Sequence, residues 1–124
     1  MSEFEKDILT EKIIACCFEV HNALGAGFLE KVYHNALIIV FKKRGILAES
    51  EKEFVVMFEG ANVGKFRSDF FIEEKVILEI KALTGIMPII FQYKMLSYLK
   101  SSGVKTGLLV NFGNKSVQVK RFSK

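Results

Sequence analysis

Between Asp69 and Lys81 the chain reads Asp-Phe-Phe-Ile-Glu-Glu-Lys-Val-Ile-Leu-Glu-Ile-Lys, and its apolar residues favour one strand pairing over the others. Side chains on a strand alternate between faces, so a slip of one residue turns the whole apolar set outward. A connection of Glu73-Glu74-Lys75 sets Ile72 opposite Val76 and Phe70 opposite Leu78; with Ile80 these residues line one buried face. A shorter loop would instead mix Phe70 and Ile72 with Glu79 and Ile77. On the opposite face the favoured register places Asp69 across from Glu79 and Arg67 across from Lys81.

Two carboxylates facing each other across a sheet repel unless a cation or a proton lies between them. The ordinary alternative is a solvated polar face on which Glu79 pairs with Arg67 or Lys81. Against it stand the apolar flanks, Val76-Ile77-Leu78 before Glu79 and Ile80, Ala82 and Leu83 around Lys81. Such flanks mark a central strand, where unpaired charge is costly. Oxygen ligands suit Mg²⁺ or Mn²⁺, and Mg²⁺ is usually held by one or two carboxylates with several waters retained. Lys81, two residues beyond Glu79, shares its strand face and could orient a water or meet charge developing on a phosphate.

The remaining pattern builds around this hairpin. Ile13, Cys17, Val20 and Leu24 recur at helical spacing and predict a helix from Ile8 to Leu24, ended by Gly25-Ala26-Gly27. A second helix is expected from about Phe28 to Arg44, burying Leu29, Val32, Tyr33, Ala36, Leu37, Val40 and Phe41. Strands follow at Glu53 to Glu59, Val63 to Ile72 and Val76 to Ala82. Pro88 opens a helix to Lys100, and strands at Val104 to Phe112 and Ser116 to Phe122 complete the chain. The order α-α-β-β-β-α-β-β implies an α/β (α+β) fold, a mixed sheet with helices packed on it.

A chain of 124 residues, half of it apolar, is expected to form a single domain over residues 1–124. No apolar run reaches the roughly 18 residues of a membrane span, and the charged start shows no secretory signal, so a cytoplasmic protein is expected. Cys16 and Cys17 are sequence neighbours in an apolar run, fit neither a disulfide nor a zinc site, and read as buried thiols. The net charge of +4 is modest, with clusters at Lys42-Lys43-Arg44 and at Lys115, Lys120, Arg121 and Lys124 that could meet phosphates or simply be solvated.

Asp69 followed by Glu79-Ile80-Lys81 resembles the D…(D/E)-x-K signature of the PD-(D/E)XK nuclease superfamily. Gly27-Phe28-Leu29-Glu30-Lys31-Val32-Tyr33 fits G-x-x-E-x-x-Y and follows Val20-His21-Asn22-Ala23-Leu24-Gly25-Ala26. With Tyr98-Leu99 and Gly107-Leu108-Leu109-Val110-Asn111-Phe112-Gly113, the chain resembles the small GxxExxY proteins, a branch of that superfamily, from roughly Ile8 to Phe122. The resemblance implies a restriction-endonuclease-like fold and Glu30 as a third carboxylate beside Asp69 and Glu79. Lys94, Tyr98, Tyr33 and Arg67 are the candidates to meet substrate. His21, near the end of the first helix, reads as structural.

The chain departs from the family where a glutamine is common four residues before the tyrosine: Lys94 stands there. Gln92 lies about 200° away around the helix and cannot take its place. Glu51 stands where relatives often carry glutamine, and Ser68, not proline, precedes Asp69. The expected function is Mg²⁺- or Mn²⁺-dependent hydrolysis of DNA or RNA by Asp69, Glu79 and Lys81 with Glu30. A homodimer or a protein partner would add specificity. The alternative is a catalytically inactive module of the same fold that binds nucleic acid or a protein. A small-molecule hydrolase would need a G-x-S-x-G elbow or a phosphate-cradling glycine loop, and neither is present.

Overall fold

Helix α1 (Glu3–Leu24) opens the computed structural model, which describes residues 2–124 apart from the side chains of Phe4 and Lys6. Ser2 caps α1 by accepting the Glu5 amide at 3.1 Å. Of the predicted stripe, Ile13, Cys17 and Val20 are buried, joined by Cys16, and Leu24 is partly buried against the same core. Gly25 ends the helix at φ 74°, its amide donating to the His21 carbonyl at 2.8 Å. Helix α2 (Glu30–Lys43) buries Tyr33, Leu37, Val40 and Phe41. Leu29 and Val32 do not join that stripe. Leu29 is extended at the N-cap, outside the helical period, and is 81% exposed; Val32 lies at the stripe's rim.

The strands are β1 (Ala48–Ser50), β2 (Glu53–Phe58), β3 (Ala61–Arg67), β4 (Phe70–Ile72) and β5 (Val76–Lys81). Helix α3 (Ile90–Ser102) then leads to β6 (Thr106–Asn111) and β7 (Gln118–Ser123). A five-stranded mixed sheet runs β1-β4-β5-β6-β7, parallel only between β5 and β6, as a helical crossover requires. The fold class and order of helices and strands are as expected, with two local differences. The long strand expected from Val63 to Ile72 is divided at Ser68-Asp69, and β1 is added at the sheet edge.

That division has a definite cause. β3 pairs only with β2, making a separate two-stranded sheet, and the chain then crosses into the main sheet as β4. The crossing is fixed by the Ser68 amide donating to the Lys52 carbonyl and the Glu51 amide donating to the Asp69 carbonyl, both at 2.9 Å. Arg67 therefore pairs with Glu53 across the hairpin and lies 3.8 Å from Glu51, not opposite Lys81 as the uninterrupted strand required.

The β4–β5 register is the predicted one, Phe70 to Leu78 and Ile72 to Val76. Phe70, Ile72, Val76, Leu78 and Ile80 are fully buried against α1 and α2, each side chain contributing about 1.5–3 kcal/mol. The other face packs Ile77, Leu109 and Phe122 on Met95 and Leu99 of α3, with Phe54 and Phe71 at its edge. Glu79 and Lys81 alternate with Ile80, so they project on the α3 side.

Candidate active site

Asp69 sits at the crossing between the two sheets, and its pairing with Glu79 runs from backbone amides to carboxylates. The Asp69 amide donates to Glu79 Oε2 at 2.7 Å, and the Ile80 amide donates to Asp69 Oδ2 at 2.7 Å. Each carboxylate thus takes the place of a ladder carbonyl. The second oxygen of each has no hydrogen-bond partner among the described residues.

Burial, and then the charge of Asp69, push the Glu79 carboxyl up to about 8. Burial also raises Asp69, against the pull of the Ile80 amide and of Lys81. Two half-buried acids with raised proton affinity mark a place short of positive charge. A divalent cation of the Mg²⁺ or Mn²⁺ kind fits this donor set, two hard oxygens held side by side. No group of three or more His, Cys, Asp or Glu side chains close enough to hold an ion forms among the described residues. Asp69 and Glu79 are the carboxylates bonded into the sheet, and Glu30 lines a cleft with Asp69 and adds its charge to the field at Glu79.

Glu30 starts α2 and reaches the site beside Lys81. Its Oε1 lies 4.0 Å from Lys81 Nζ, and burial, then the Asp69 charge, raise its proton affinity. Tyr33 explains the spacing that places it. Fully buried and stacked on Phe112 at 4.8 Å, Tyr33 donates its hydroxyl to the Gly25 carbonyl at 2.6 Å. The same hydroxyl accepts the Phe28 amide at 3.2 Å. The tyrosine clamps the loop that delivers Glu30, and its ring has no surface for a substrate. His21 is likewise buried, its Nε2 at 2.9 Å from the Asn114 carbonyl oxygen.

Lys81 Nζ lies 4.3 Å from the centroid of the Phe91 ring, and Lys94 Nζ lies 5.7 Å from the same centroid. One aromatic ring thus gathers both ammonium groups, and Lys94 joins the site through it. Tyr98 stacks on Phe66 at 4.1 Å; burial, then the charges of Glu79 and Asp69, raise its hydroxyl pKa. Arg67 remains outside, exposed on the hairpin.

Two clefts share Glu30. One of about 260 Å³ includes Phe28, Glu30, Lys81, Leu83 and Phe91; one of about 130 Å³ includes Glu30, His34, Glu51 and Asp69. A larger cleft of about 300 Å³, around Lys12, Arg44 and Lys75, contains none of these groups.

Phe91 and His34 are absent from the sequence prediction. His34 stacks on Phe70 at 4.2 Å with Nε2 2.7 Å from Ser50 Oγ, and its charge would favour the Asp69 carboxylate. Its spacing of four from Glu30 on one helix face was the available signal. Phe91 had none, because it meets Lys81 only through the crossover.

A search of curated proteins finds no match. The crystal structure of SSO0001 is similar in fold, with a TM-score of 0.61 and 22% identity over 77% of this chain; the chain spans 50% of that structure's length. The model of the PD-(D/E)XK nuclease superfamily matches residues 7–122, a span that includes Glu30, the paired carboxylates and Lys81. With that match over nearly its whole length, the chain belongs to the PD-(D/E)XK nuclease superfamily.

Proposed function

We propose that this protein is a metal-dependent nuclease that hydrolyses phosphodiesters in DNA or RNA, a GxxExxY-type domain over residues 1–124. The observation that carries the proposal is the Asp69–Glu79 pair, with Glu79 accepting the Asp69 amide and Asp69 accepting the Ile80 amide, each at 2.7 Å, and Lys81 on the same face as Glu79. Nucleases of this superfamily typically use divalent metals. Held by Asp69 and Glu79, Mg²⁺ or Mn²⁺ would supply Lewis-acid polarisation of the phosphate and a more acidic water.

The chain's own groups have separable tasks. Asp69 and Glu79 are the residues that would hold the cation, each having one carboxylate oxygen free of backbone bonds. Lys81 presents its ammonium to the phosphate as charge grows in the transition state. Glu30 and the face of Phe91 restrict where that ammonium points. Lys94, across the same ring, meets a neighbouring phosphate, and Tyr98 and the exposed Arg67 offer further polar contacts. No helix among the described residues is long and apolar enough to cross a membrane. A cytoplasmic location, and a second copy or protein partner that adds specificity, belong to the same proposal.

A second reading, a catalytically inactive module that binds nucleic acid or protein, draws on Lys94 standing where relatives carry glutamine. One experiment separates the two. Mn²⁺ binding by calorimetry should vanish in Asp69→Ala, and cleavage of single- and double-stranded substrates should require Glu79 and Lys81. Binding with no cleavage of any substrate would favour the module. Absence of both would remove the nuclease reading altogether.

A further inference from the structure

We propose that the cavity between the segment before α3 and strand β7 is a subsite for one unpaired nucleobase bearing carbonyl acceptors, guanine foremost. The proposal rests on the nuclease reading for its substrate. The cavity measures about 230 Å³ and is lined by Ile86, Met87, Gln92, Leu109, Gln118 and Lys120. That is below the roughly 300–1,000 Å³ of sites for larger ligands and suits a single ring system. A base pair would not enter, so the base must come from a single strand or be turned out of a duplex.

Its polar groups are biased toward donation. Gln118 Oε1 already accepts from Asn111 Nδ2 at 3.2 Å and from Asn114 Nδ2 at 2.8 Å, which leaves its amino group as the end that can donate. Lys120 has no carboxylate partner among the described residues, only the Phe122 ring with its centroid 5.9 Å away. Gln92, half-buried, makes no side-chain hydrogen bond among the described residues, so its amide is open to a base edge as donor or acceptor, and the bias comes from Gln118 and Lys120. Guanine presents adjacent O6 and N7 acceptors to such donors, whereas the amino groups of adenine and cytosine would oppose them. Leu109, Ile86 and Met87 supply apolar contact for the ring, including a sulfur suited to an aromatic face.

The register links this cavity to the catalytic residues. Glu79 pairs with Leu109, and Leu109 pairs with Lys120, so these side chains form one row across the sheet. Two strand spacings separate Glu79 from Lys120, about 10 Å. The base would belong to a nucleotide close to the one being cut. Gln92, turned away from Lys94 and without a task at the phosphate, acquires one here.

The test is a metal-free methyl NMR titration, reading Met87 and Ile86, with GMP, UMP, AMP, CMP and inorganic phosphate as probes. GMP should move these signals with affinity about tenfold above that of AMP. Lys120→Met should narrow the difference to within about twofold, while Lys124→Met should keep it. Equal affinities, phosphate alone moving the same methyls as far, or a preference that survives Lys120→Met would overturn the subsite. Because no cleavage is involved, a failed nuclease reading would appear as base preference without hydrolysis, and a failed subsite as hydrolysis without base preference.

Discussion

Asn111 holds the backbone of Leu83 at both ends: its Oδ1 accepts the Leu83 amide and its Nδ2 donates to the Leu83 carbonyl, each at 2.9 Å. The same side chain accepts the Gly113 amide at 3.0 Å, and the Phe112 amide donates to the Lys81 carbonyl at 2.8 Å. Strand β6 thereby fixes where β5 ends and where Lys81 stands.

Replacing Asn111 by Ala leaves the Leu83 and Gly113 backbone groups unpaired in a region that is largely buried. Stability should fall by about 2–3 kcal/mol in urea denaturation. Cleavage should fall further than stability alone explains, seen as a loss in kcat at temperatures where the variant is fully folded.

Stability should depend on pH through Glu79. Its pKa rises from 4.5 to about 8 on folding, so between those values the native state binds more protons than the unfolded chain. Stability is then greatest at and below pH 4.5 as far as this group is concerned, declines as pH climbs to about 8, and levels beyond. Asp69, also raised, adds a decline of the same sign. Glu79→Gln should flatten the profile and exceed wild type by about 1–3 kcal/mol at pH 8.5 without metal. Denaturation at pH 5 and 8.5, with and without Mn²⁺, measures both effects; a cation should recover the lost stability in wild type only.

Lys81→Met keeps the stem of the side chain and removes its charge. Cleavage should drop by about a hundredfold or more. Mn²⁺ binding should persist or tighten, because a positive neighbour of Asp69 and Glu79 is gone. Loss of binding in this variant would assign Lys81 to the structure of the carboxylate pair.

Phe91→Leu retains apolar packing but removes the ring under two ammonium groups. The cost to stability should stay below about 1.5 kcal/mol by thermal unfolding. Cleavage should fall severalfold and become more sensitive to salt, since Lys81 and Lys94 lose a contact worth about 0.5–2 kcal/mol.

The β4–β5 register was legible because period-two alternation leaves Phe70, Ile72, Val76, Leu78 and Ile80 only one common face. The break at Ser68-Asp69 was not. No glycine or proline marks it, and Phe66 and Phe70 continue the alternation across it although they pack in different places. β1 was invisible for the opposite reason: Ala48-Glu49-Ser50 carries no apolar alternation and is ordered by pairing with β4 and by contact with α2. Asp69 and Glu79 were found as a pair, yet their contact runs through the backbone amides of Asp69 and Ile80, which no side-chain pattern encodes. The link from Lys81 to Phe91 and Lys94 depends on how α3 lies over the sheet, a tertiary fact.

The β2–β3 hairpin keeps all its ladder bonds to itself and is rooted by the Phe54, Phe66 and Tyr98 rings and the backbone bonds at Ser68 and Glu51. Its outer half, including Met57, Phe58 and Val63, is exposed. Length and composition there are therefore uncoupled from the carboxylates that follow it. Over evolutionary time the tip at Glu59-Gly60 is free to grow, shrink or accept a grafted module while the chemistry at its base is inherited unchanged.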